Sequence, residues 1–492
     1  MSAFDLTKFY ADWQIILPEC FLFVWALFVL TLATLGKKDE PGRSGTFALW
    51  TILGALITAV WVGVTADGAA FGGTFVFDRL AVVFKEVVLG GVILTAISSI
   101  GTVGRLEVHR GEYYGLILLS AVGMLLMVSA TELLTLYIAI ELSTMGLYVL
   151  AAYHKGSRRS AEAGLKYVIL GGISSAILLY GVAWLYGLTG TTNLAAIKDA
   201  VMNIYMSTGG FPPAMTLALI FVLAGFGFKL ALAPFHMWAP DVYEGAPTPI
   251  TAFLSVASKA AALAAFLRVF FVGLESAAMA WTQMIAALAA LGMIVGNVTA
   301  IVQTNIKRML AYSSVAQIGY ILVGAVARDT WGATAISFYT MAYLFANMGA
   351  FICVIAFSER TGSDEIADYN GLAARSPVLA AFFALFLLSL TGIPPTAGFL
   401  AKYYVFLAAV NAGYLWLVIV GLLTSVIALY YYATVIRKMY FPSGETASTI
   451  TVSKSLTLAL VISTIGVLFF GVFPGPFVGW IQNAAQMLLA GK

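Results

Sequence analysis

The chain has 492 residues, of which 61% are hydrophobic and only 10% are charged. Soluble domains carry about 25% charged residues, so this composition excludes a soluble protein and predicts an all-α polytopic membrane protein. A net charge of +3 without a basic block gives no indication of nucleic-acid binding. Cys20 and Cys353 lie far apart in apolar runs, which is typical of small core residues.

Apolar runs of about 20 residues, the length that crosses a bilayer, recur along the chain and predict about 14 transmembrane helices. Their approximate bounds are 14–35, 46–66, 79–102, 113–130, 132–153, 163–187, 215–236, 248–272, 281–303, 308–326, 332–357, 378–411, 413–436 and 456–474. The run 378–411 is too long for one crossing, so we predict a crossing that Pro394 and Pro395 break. The segments 188–214 and 358–377 are predicted to be surface connections.

Lys and Arg residues fall mainly in one set of alternate loops, and such an excess marks the cytoplasmic side. This set holds Lys37, Lys38, Arg43, Arg105, Arg110, Lys155, Arg158, Arg159, Lys307, Arg308, Arg360, Arg375, Arg437, Lys438 and Lys454. The opposite set, with both termini, holds Lys8, Arg79, Lys198, Arg328 and Lys492. We therefore expect both termini to lie outside.

The segment Phe221–Phe270 predicts two spans, each with a lysine near its middle, Lys229 and Lys259. A charge at that depth costs at least roughly 2.5–3.5 kcal/mol on insertion scales. Pro234 breaks the first of these spans, and broken helices are tolerated where the freed carbonyls face protein or a wet cavity. Two lysines and a break together indicate an ion path.

Four ionisable groups lie near the middle of predicted spans: Glu141, Lys229, Lys259 and Lys402. Burial disfavours the charged form of each group, whereas a carboxylate and an ammonium within about 4–6 Å restore each other's charge. Glu141 and Lys229 could therefore form a proton switch that depends on their distance. The alternative is a static ion pair that holds the bundle together.

Other polar residues have two interpretations each. His236, which follows the break, is an additional candidate for proton relay, or else a local hydrogen-bonding group. Ser313, Ser314 and Gln317 either join helices, at about 0.6 kcal/mol for each hydrogen bond, or hold water along a polar axis. The remaining charges are expected to snorkel to the membrane surface, to face a partner subunit or to lie in loops: Lys85, Glu86, Lys166, Asp241, Glu244 and Arg268.

The fourth to eighth and the ninth to thirteenth predicted spans form two five-helix units, each with its broken helix in fourth place. An odd number of helices gives the two units opposite orientations, and paired broken helices indicate a transport site. The predicted divisions are 1–112 (three N-terminal helices), 113–272 (first unit), 273–436 (second, inverted unit) and 437–492 (a loop and the last helix).

Three segments resemble the antiporter-like subunits of respiratory complex I: residues 228–261 (FKLALAPFHMWAPDVYEGAPTPITAFLSVASKAA), 305–320 (NIKRMLAYSSVAQIGY) and 391–406 (TGIPPTAGFLAKYYVF). The form PDVYEGAPTP followed by TAFLSVASK is similar to the subunit N type. The resemblance implies two inverted five-helix repeats and assigns proton translocation to Glu141, Lys229, Lys259 and Lys402. Many relatives have a histidine where this chain has Gln317, so a titrating role at Gln317 is not implied.

The resemblance implies a proton-translocating subunit of a complex I-type NADH–quinone oxidoreductase in a bacterial inner membrane, with a thylakoid-type membrane as the alternative. No cofactor or metal is expected in this chain, and quinone, flavin and iron–sulfur clusters are expected in partner subunits. The expected partners are a neighbouring antiporter-like subunit, small membrane subunits and the lipid bilayer. The alternatives are a subunit of a multisubunit cation/proton antiporter, an independent solute symporter, and a structural spacer that does not pump.

The predicted topology can be tested with single cysteines in place of Lys38, Arg158 or Lys438, in a chain without Cys20 and Cys353. A membrane-impermeant thiol reagent added to intact cells should not label these positions, because they are expected in the cytoplasm. A cysteine in place of Arg328, expected outside, is the matched control and should react. Labelling of Lys38→Cys, Arg158→Cys or Lys438→Cys from outside would overturn the orientation.

Overall fold

The computed structural model describes residues 6–35, 43–66, 68–105, 110–441 and 449–490. Lys37, Lys38 and Lys492, which the predicted topology uses, lie outside these residues, and so do the side chains of Lys8 and Arg105. Within the described residues, 13 helices are long and apolar enough to cross a membrane. Two shorter apolar helices together form one broken crossing, which confirms the prediction of about 14 spans.

The described helices of the first half of the chain have the following bounds: α1 Leu6–Ile15, α2 Leu17–Leu35, α3 Arg43–Thr65, α4 Arg79–Arg105, α5 Arg110–Ser129, α6 Leu133–Ala151, α7 Arg158–Thr189, α8 Leu194–Thr208, α9 Pro213–Leu230, α10 Trp238–Gly245 and α11 Thr248–Phe266. A π-helical segment, Leu267–Gly273, continues α11. Between α3 and α4, the strands β1 Gly68–Ala70 and β2 Phe75–Phe77 form an antiparallel hairpin with Gly68 opposite Phe77.

The described helices of the second half have these bounds: α12 Ala278–Ile301, α13 Ile306–Val323, α14 Thr330–Thr361, α15 Leu372–Arg375, α16 Pro377–Thr391, α17 Ala397–Asn411, α18 Leu415–Tyr440, α19 Lys454–Val472 and α20 Gly475–Ala490. Short 3₁₀ turns lie at Glu275–Ala277, Gly324–Ala327 and Ile366–Tyr369.

The centre of the bundle is formed by α11, α13 and α14, which are buried along nearly their whole length. Small residues permit this, because helices in a bilayer approach closely only where side chains are short. At Gly296 of α12, a Cβ atom would lie 2.6 Å from the backbone nitrogen of Ala316 in α13, so only glycine fits. By contrast, α2, α3 and α7 expose much of their apolar surface at the periphery, where lipid or other subunits would cover it.

Both predicted helix breaks are present and have the same local backbone conformation. The helix α9 ends at Leu230, Ala231 is left-handed, and a cis peptide bond precedes Pro234. In the same order, α16 ends at Thr391, Gly392 is left-handed, and a cis peptide bond precedes Pro395. The first break begins after Leu230, before Pro234, the residue on which its prediction was based.

The segment 188–214, predicted to be a surface connection, contains the four-turn helix α8, of whose 15 residues only Leu194, Ile197 and Val201 are buried. The side-chain oxygen of Asn193 accepts hydrogen bonds from the backbone nitrogens of Ala195 and Ala196 at the start of α8, and the left-handed Gly209 ends it. This capping pattern was readable in the sequence. The helix was missed because it is too short to cross a membrane.

Candidate functional site

Lys229 lies in the last turn of α9, directly before the first break, and is 7% exposed. Its Nζ donates hydrogen bonds to Ser143 Oγ at 3.0 Å and Thr144 Oγ1 at 2.7 Å, two hydroxyls on α6. The carboxyl-terminal end of a helix also favours a cation, because its free carbonyls carry partial negative charge. The buried ammonium is therefore held by dipoles and not by a carboxylate.

Glu141 lies on α6, less than one turn before Ser143 and Thr144, and is half-buried. Its carboxylate accepts a hydrogen bond from Ser175 Oγ on α7 at 2.7 Å. Glu141 and Lys229 line the same cavity of about 20 Å³, which holds about one water molecule. Among the described residues, the Glu141 carboxylate and the Lys229 ammonium are more than 4.0 Å apart, so they do not form an ion pair. They face each other across one small cavity.

Lys259 lies on α11 at the centre of the bundle and is 1% exposed. Its Nζ donates a hydrogen bond to Ser314 Oγ on α13 at 2.5 Å. The Tyr343 hydroxyl of α14 lies 2.9 Å from the same serine oxygen and donates to it. The predicted polar face of α13 thus receives the central lysine directly, and α14 adds a tyrosine.

Gln317, about one turn further along α13, continues this polar row. Its Oε1 accepts a hydrogen bond from the Tyr339 hydroxyl at 2.6 Å, and its Nε2 donates to the carbonyl of Leu390 at 2.8 Å. That carbonyl belongs to the last turn of α16, directly before the second break. The side chain at 317 therefore joins the central helix to the broken helix without being a titratable group.

Lys402 lies on α17 after the second break and is 5% exposed. Its Nζ donates to the carbonyl of Thr391 at 2.8 Å and to Ser425 Oγ at 3.1 Å, and it lies 4.2 Å from the centre of the Tyr320 ring. The neighbouring carbonyl, that of Leu390, accepts from Gln317. Adjacent carbonyls at the end of α16 therefore connect the α13 row to Lys402.

The left-handed Gly392 makes room for this lysine. Its φ of +93° is costly for a residue with a side chain, by about 1–2 kcal/mol. A Cβ atom there would also lie 2.9 Å from Lys402 Cδ. The two lysines beside the breaks are not at equivalent positions, because Lys229 precedes its break and Lys402 follows the other.

His236 lies in the first break, between α9 and α10, and is 7% exposed. Its ring lies 6.1 Å from the ring of Tyr312, and its Nδ1 has no hydrogen-bond partner among the described residues. The structure places His236 beside the helix break but shows no hydrogen bond from its ring to a lysine of the row. Its suggested relay role therefore stays a prediction.

The expectation that Arg268 snorkels to the surface is wrong, and so is the expectation that Lys85 snorkels or faces a partner subunit. Arg268 is 3% exposed and makes a bidentate ion pair with Asp78 at 2.7 and 2.9 Å, while Lys85 is fully buried 2.6 Å from Glu19. Each pair joins helices that are distant in sequence. Sequence reasoning missed both pairs because Asp78 and Glu19 lie at helix starts, where carboxylates are ordinary capping residues.

Asp241 and Glu244, expected as loop residues without a specific role, lie on α10 and hold it in place. The guanidinium of Arg308 on α13 donates to Asp241 Oδ1 at 2.7 Å and to Glu244 Oε2 at 2.9 Å. On the other side, Lys166 of α7 lies 2.5 Å from Asp241. Burial alone would raise the pKa of Asp241, but hydrogen bonds from Lys166 and Arg308 outweigh it and hold this pKa below its usual value.

Lys307 fixes the carboxyl-terminal end of α10. It is 4% exposed, and its Nζ donates to the carbonyls of Glu244 at 2.6 Å and Ala246 at 2.9 Å. Asp364, from the acidic segment after α14, lies 3.7 Å from the same ammonium. That segment is therefore partly packed and not simply solvated. The α10 half of the first broken helix is bound to the first turn of α13.

Most of the hydroxyls that accept from the lysines, and the two tyrosines that donate to Ser314 and Gln317, were not predicted. Ser143, Thr144, Tyr339, Tyr343 and Ser425 look like ordinary helix-packing residues in the sequence. Their signal is weak: polar side chains recur within otherwise apolar spans on α6, α14 and α18. Among the described residues, no group of three or more His, Cys, Asp or Glu side chains is placed to hold a metal ion.

The family described as "NADH:quinone oxidoreductase/Mrp antiporter, TM" matches residues 130–428, a range that includes both breaks and all four charged candidates. The fold and the buried row of lysines thus define an antiporter-like membrane protein. NADH-quinone oxidoreductase subunit N of Moorella thermoacetica is 46% identical over 434 residues, which cover 88% of this chain and 90% of that protein. The corresponding Heliobacterium modesticaldum protein is 43% identical, with coverages of 94% and 96%. The chain belongs to the NADH-quinone oxidoreductase subunit N family.

Solved structures show the same fold. A chain of respiratory complex I from Thermus thermophilus has a TM-score of 0.79 at 33% identity, and covers 94% of this chain and 98% of that one. A chain of the Mrp complex from Dietzia has a TM-score of 0.84 at 22% identity, with coverages of 96% and 97%, a likeness that shows the fold alone. The predicted all-α polytopic membrane fold and the resemblance are confirmed, and the two inverted five-helix repeats stay a prediction.

Replacing Lys307 by Met should destabilise the protein, because two carbonyls at the end of α10 lose their donor. A buried polar group left without its partner costs about 1–3 kcal/mol. We expect a lower midpoint of thermal unfolding for the purified protein in detergent. Lys155→Met, at an exposed lysine, is the control and should unfold like the wild type. Equal midpoints for both variants would show that Lys307 does not hold α10.

Proposed function

We propose that this chain is a proton-translocating membrane subunit of a complex I-type NADH–quinone oxidoreductase. The observation that supports it is a set of three buried lysines, each donating to neutral oxygens, with polar side chains of α13 and α14 lying between Lys259 and Lys402. Lysine is suited to this role because a buried ammonium readily gives up its proton. Subunit N relatives at 43–46% identity support the assignment to this complex.

Protons are taken up from the cytoplasm near the first break and move through the bundle along one axis. The order is Lys229, Lys259, the hydroxyls and amide of α13 and α14, and then Lys402, from which they leave to the outside. His236 is an additional uptake-side group. This direction is supported by the Lys/Arg distribution, from which we infer that both termini lie outside a bacterial inner membrane.

Glu141 and Lys229 form the switch of this path. When the carboxylate is close, it favours the charged ammonium; when it moves away, the ammonium is held only by the Ser143 and Thr144 hydroxyls and releases its proton more readily. The small cavity that the two groups line is where a short movement would bring them together. The groups titrate as a coupled set, so no single pKa belongs to one of them.

The redox reaction belongs to other subunits of the complex, which would hold the flavin, the iron–sulfur clusters and the quinone. The partners of this chain are a neighbouring antiporter-like subunit and small membrane subunits. They would cover part of the apolar surface that α2, α3 and α7 expose. The two inverted five-helix units, 113–272 and 273–436, are the frame on which the matched breaks lie.

A subunit of a multisubunit cation/proton antiporter is the competing function. It has less support, because the likeness to the Mrp complex of Dietzia is 22% in sequence, against 46% for a subunit N relative. Co-purification decides between the two functions. Flavin- and iron–sulfur-containing subunits in the purified complex would support the proposal, and their replacement by antiporter subunits would contradict it.

Lys402→Ala should reduce proton pumping while the complex still assembles, because Lys402 is the last titratable group of the row before the outside. The measurement is NADH-driven acidification inside proteoliposomes, normalised to the amount of complex. Lys438→Ala, at a lysine outside the row, is the control and should pump normally. Normal pumping by assembled Lys402→Ala complex would show that this lysine is structural.

Lys229→Arg tests whether the lysine must release its proton. Arginine keeps a permanent charge, because its pKa is above about 12. We expect Lys229→Arg and Lys229→Ala both to assemble and both to lose most quinone-linked pumping. An arginine variant that pumps fully beside an inactive alanine variant would reduce Lys229 to a fixed charge and place the proton path elsewhere.

A further inference from the structure

Four aromatic side chains, three from the first five-helix unit and one from the first helix of the second unit, pack together near the end of α11. The outer aromatic cluster, as we call it, consists of Phe226 on α9, Phe266 and Phe270 on α11 and its π-helical continuation, and Trp281 on α12. Phe266 and Phe270 are stacked with ring centres 4.6 Å apart; Phe226 lies 5.7 Å from Phe270, and Trp281 5.5 Å from it. All four side chains are at most 3% exposed.

This cluster lies between the lysines of the first unit and the face where α9 begins and α11 ends. Phe226 precedes Lys229 by about one turn, and Phe266 follows Lys259 by seven residues, about 10 Å along the helix. Residues 260–267 contain only Ala, Leu and Phe, and all of them are buried. The direct way from Lys259 to that face therefore offers no side-chain hydrogen-bonding group on its own helix.

Beyond the stacked rings, the same end of the helix is closed by a fixed charge pair. Arg268 donates to Asp78 through both terminal nitrogens, and its Nε donates to the carbonyl of Val128 at 2.6 Å. These bonds tie α11 to the start of α4 and to the end of α5. Arginine does not deprotonate in proteins, so this pair does not relay a proton.

The Lys259 ammonium instead forms its hydrogen bonds across the bundle, with α13. It donates to Ser314, and Tyr343, Tyr339 and Gln317 continue the polar row towards the second unit. Lys402, at the far end of the row, lies among Tyr320, Ser425 and the Thr391 carbonyl. The outer end of α11 is thus occupied by aromatic rings and a fixed ion pair, whereas Lys402 is surrounded by hydrogen-bonding groups.

We propose that the outer aromatic cluster is the barrier that prevents protons on Lys229 and Lys259 from leaking directly to the outside. Apolar constrictions block ions by excluding water, and a proton needs a chain of water or hydroxyl groups. Phe226, Phe266, Phe270 and Trp281 keep the outer side of the first unit dry, so the proton moves laterally to the second unit. This barrier function rests on the proposed proton transport but concerns a different property, passive permeability.

The test is the passive proton leak of purified complex in proteoliposomes, without NADH or quinone. A potassium diffusion potential drives protons, and an entrapped pH dye reports their movement. Phe226→Ala and Phe270→Ala should each raise the leak several-fold, because a cavity beside the lysines can admit water. Phe383→Ala is the matched control. Phe383 lies on α16, away from this cluster, where it is fully buried and packs against Tyr369.

The double variant Phe266→Leu/Phe270→Leu keeps the core apolar and is the second test, chosen for mild effects on folding. It should show a smaller rise in leak than Phe270→Ala. A wild-type leak in assembled Phe270→Ala complex, or an equal rise in Phe383→Ala, would overturn the barrier. Because the leak is measured without turnover, its result is independent of whether Lys229→Arg and Lys402→Ala abolish pumping.

Discussion

The structure depends on the solvation of three buried ammonium groups. Lys229, Lys259 and Lys402 are all less than a tenth exposed, and a charge in an apolar interior is tolerated only where oxygen atoms replace water. Their hydrogen-bond acceptors are hydroxyls of α6, α13 and α18 and the backbone carbonyls of Ser314 and Thr391. Neutral acceptors stabilise the cation less than a carboxylate would.

The helix breaks are what makes those acceptors available. An unbroken helix uses its carbonyls internally, whereas the last turn of α16 offers the carbonyls of Leu390 and Thr391 to Gln317 and Lys402. At the other break, α9 ends directly after Lys229, and α10 is a separate short helix. Lys307 and Arg308 of α13 bind α10 and so join the first break to α13. Ser314 of the same helix accepts a hydrogen bond from Lys259.

Two buried ion pairs lie away from the row of lysines. Asp78 with Arg268, and Glu19 with Lys85, are buried pairs in which each charge has an opposite partner. A buried pair of this kind is costly to open, because either partner alone would be an uncompensated charge. The paired charges therefore fix helices around the first unit, while the lysines without carboxylate partners form the row.

The sequence by itself determined the membrane class, the number of crossings, the position of both breaks and the four charged candidates, because hydropathy, proline and rare intramembrane charges are local signals. The tertiary structure decided which groups meet. It placed Glu141 and Lys229 across a cavity and not in an ion pair, paired Arg268 with Asp78, and brought Tyr339 and Tyr343 into the row. These contacts join residues tens to hundreds of positions apart, and they depend on helix rotation and packing, which no local pattern in one sequence encodes.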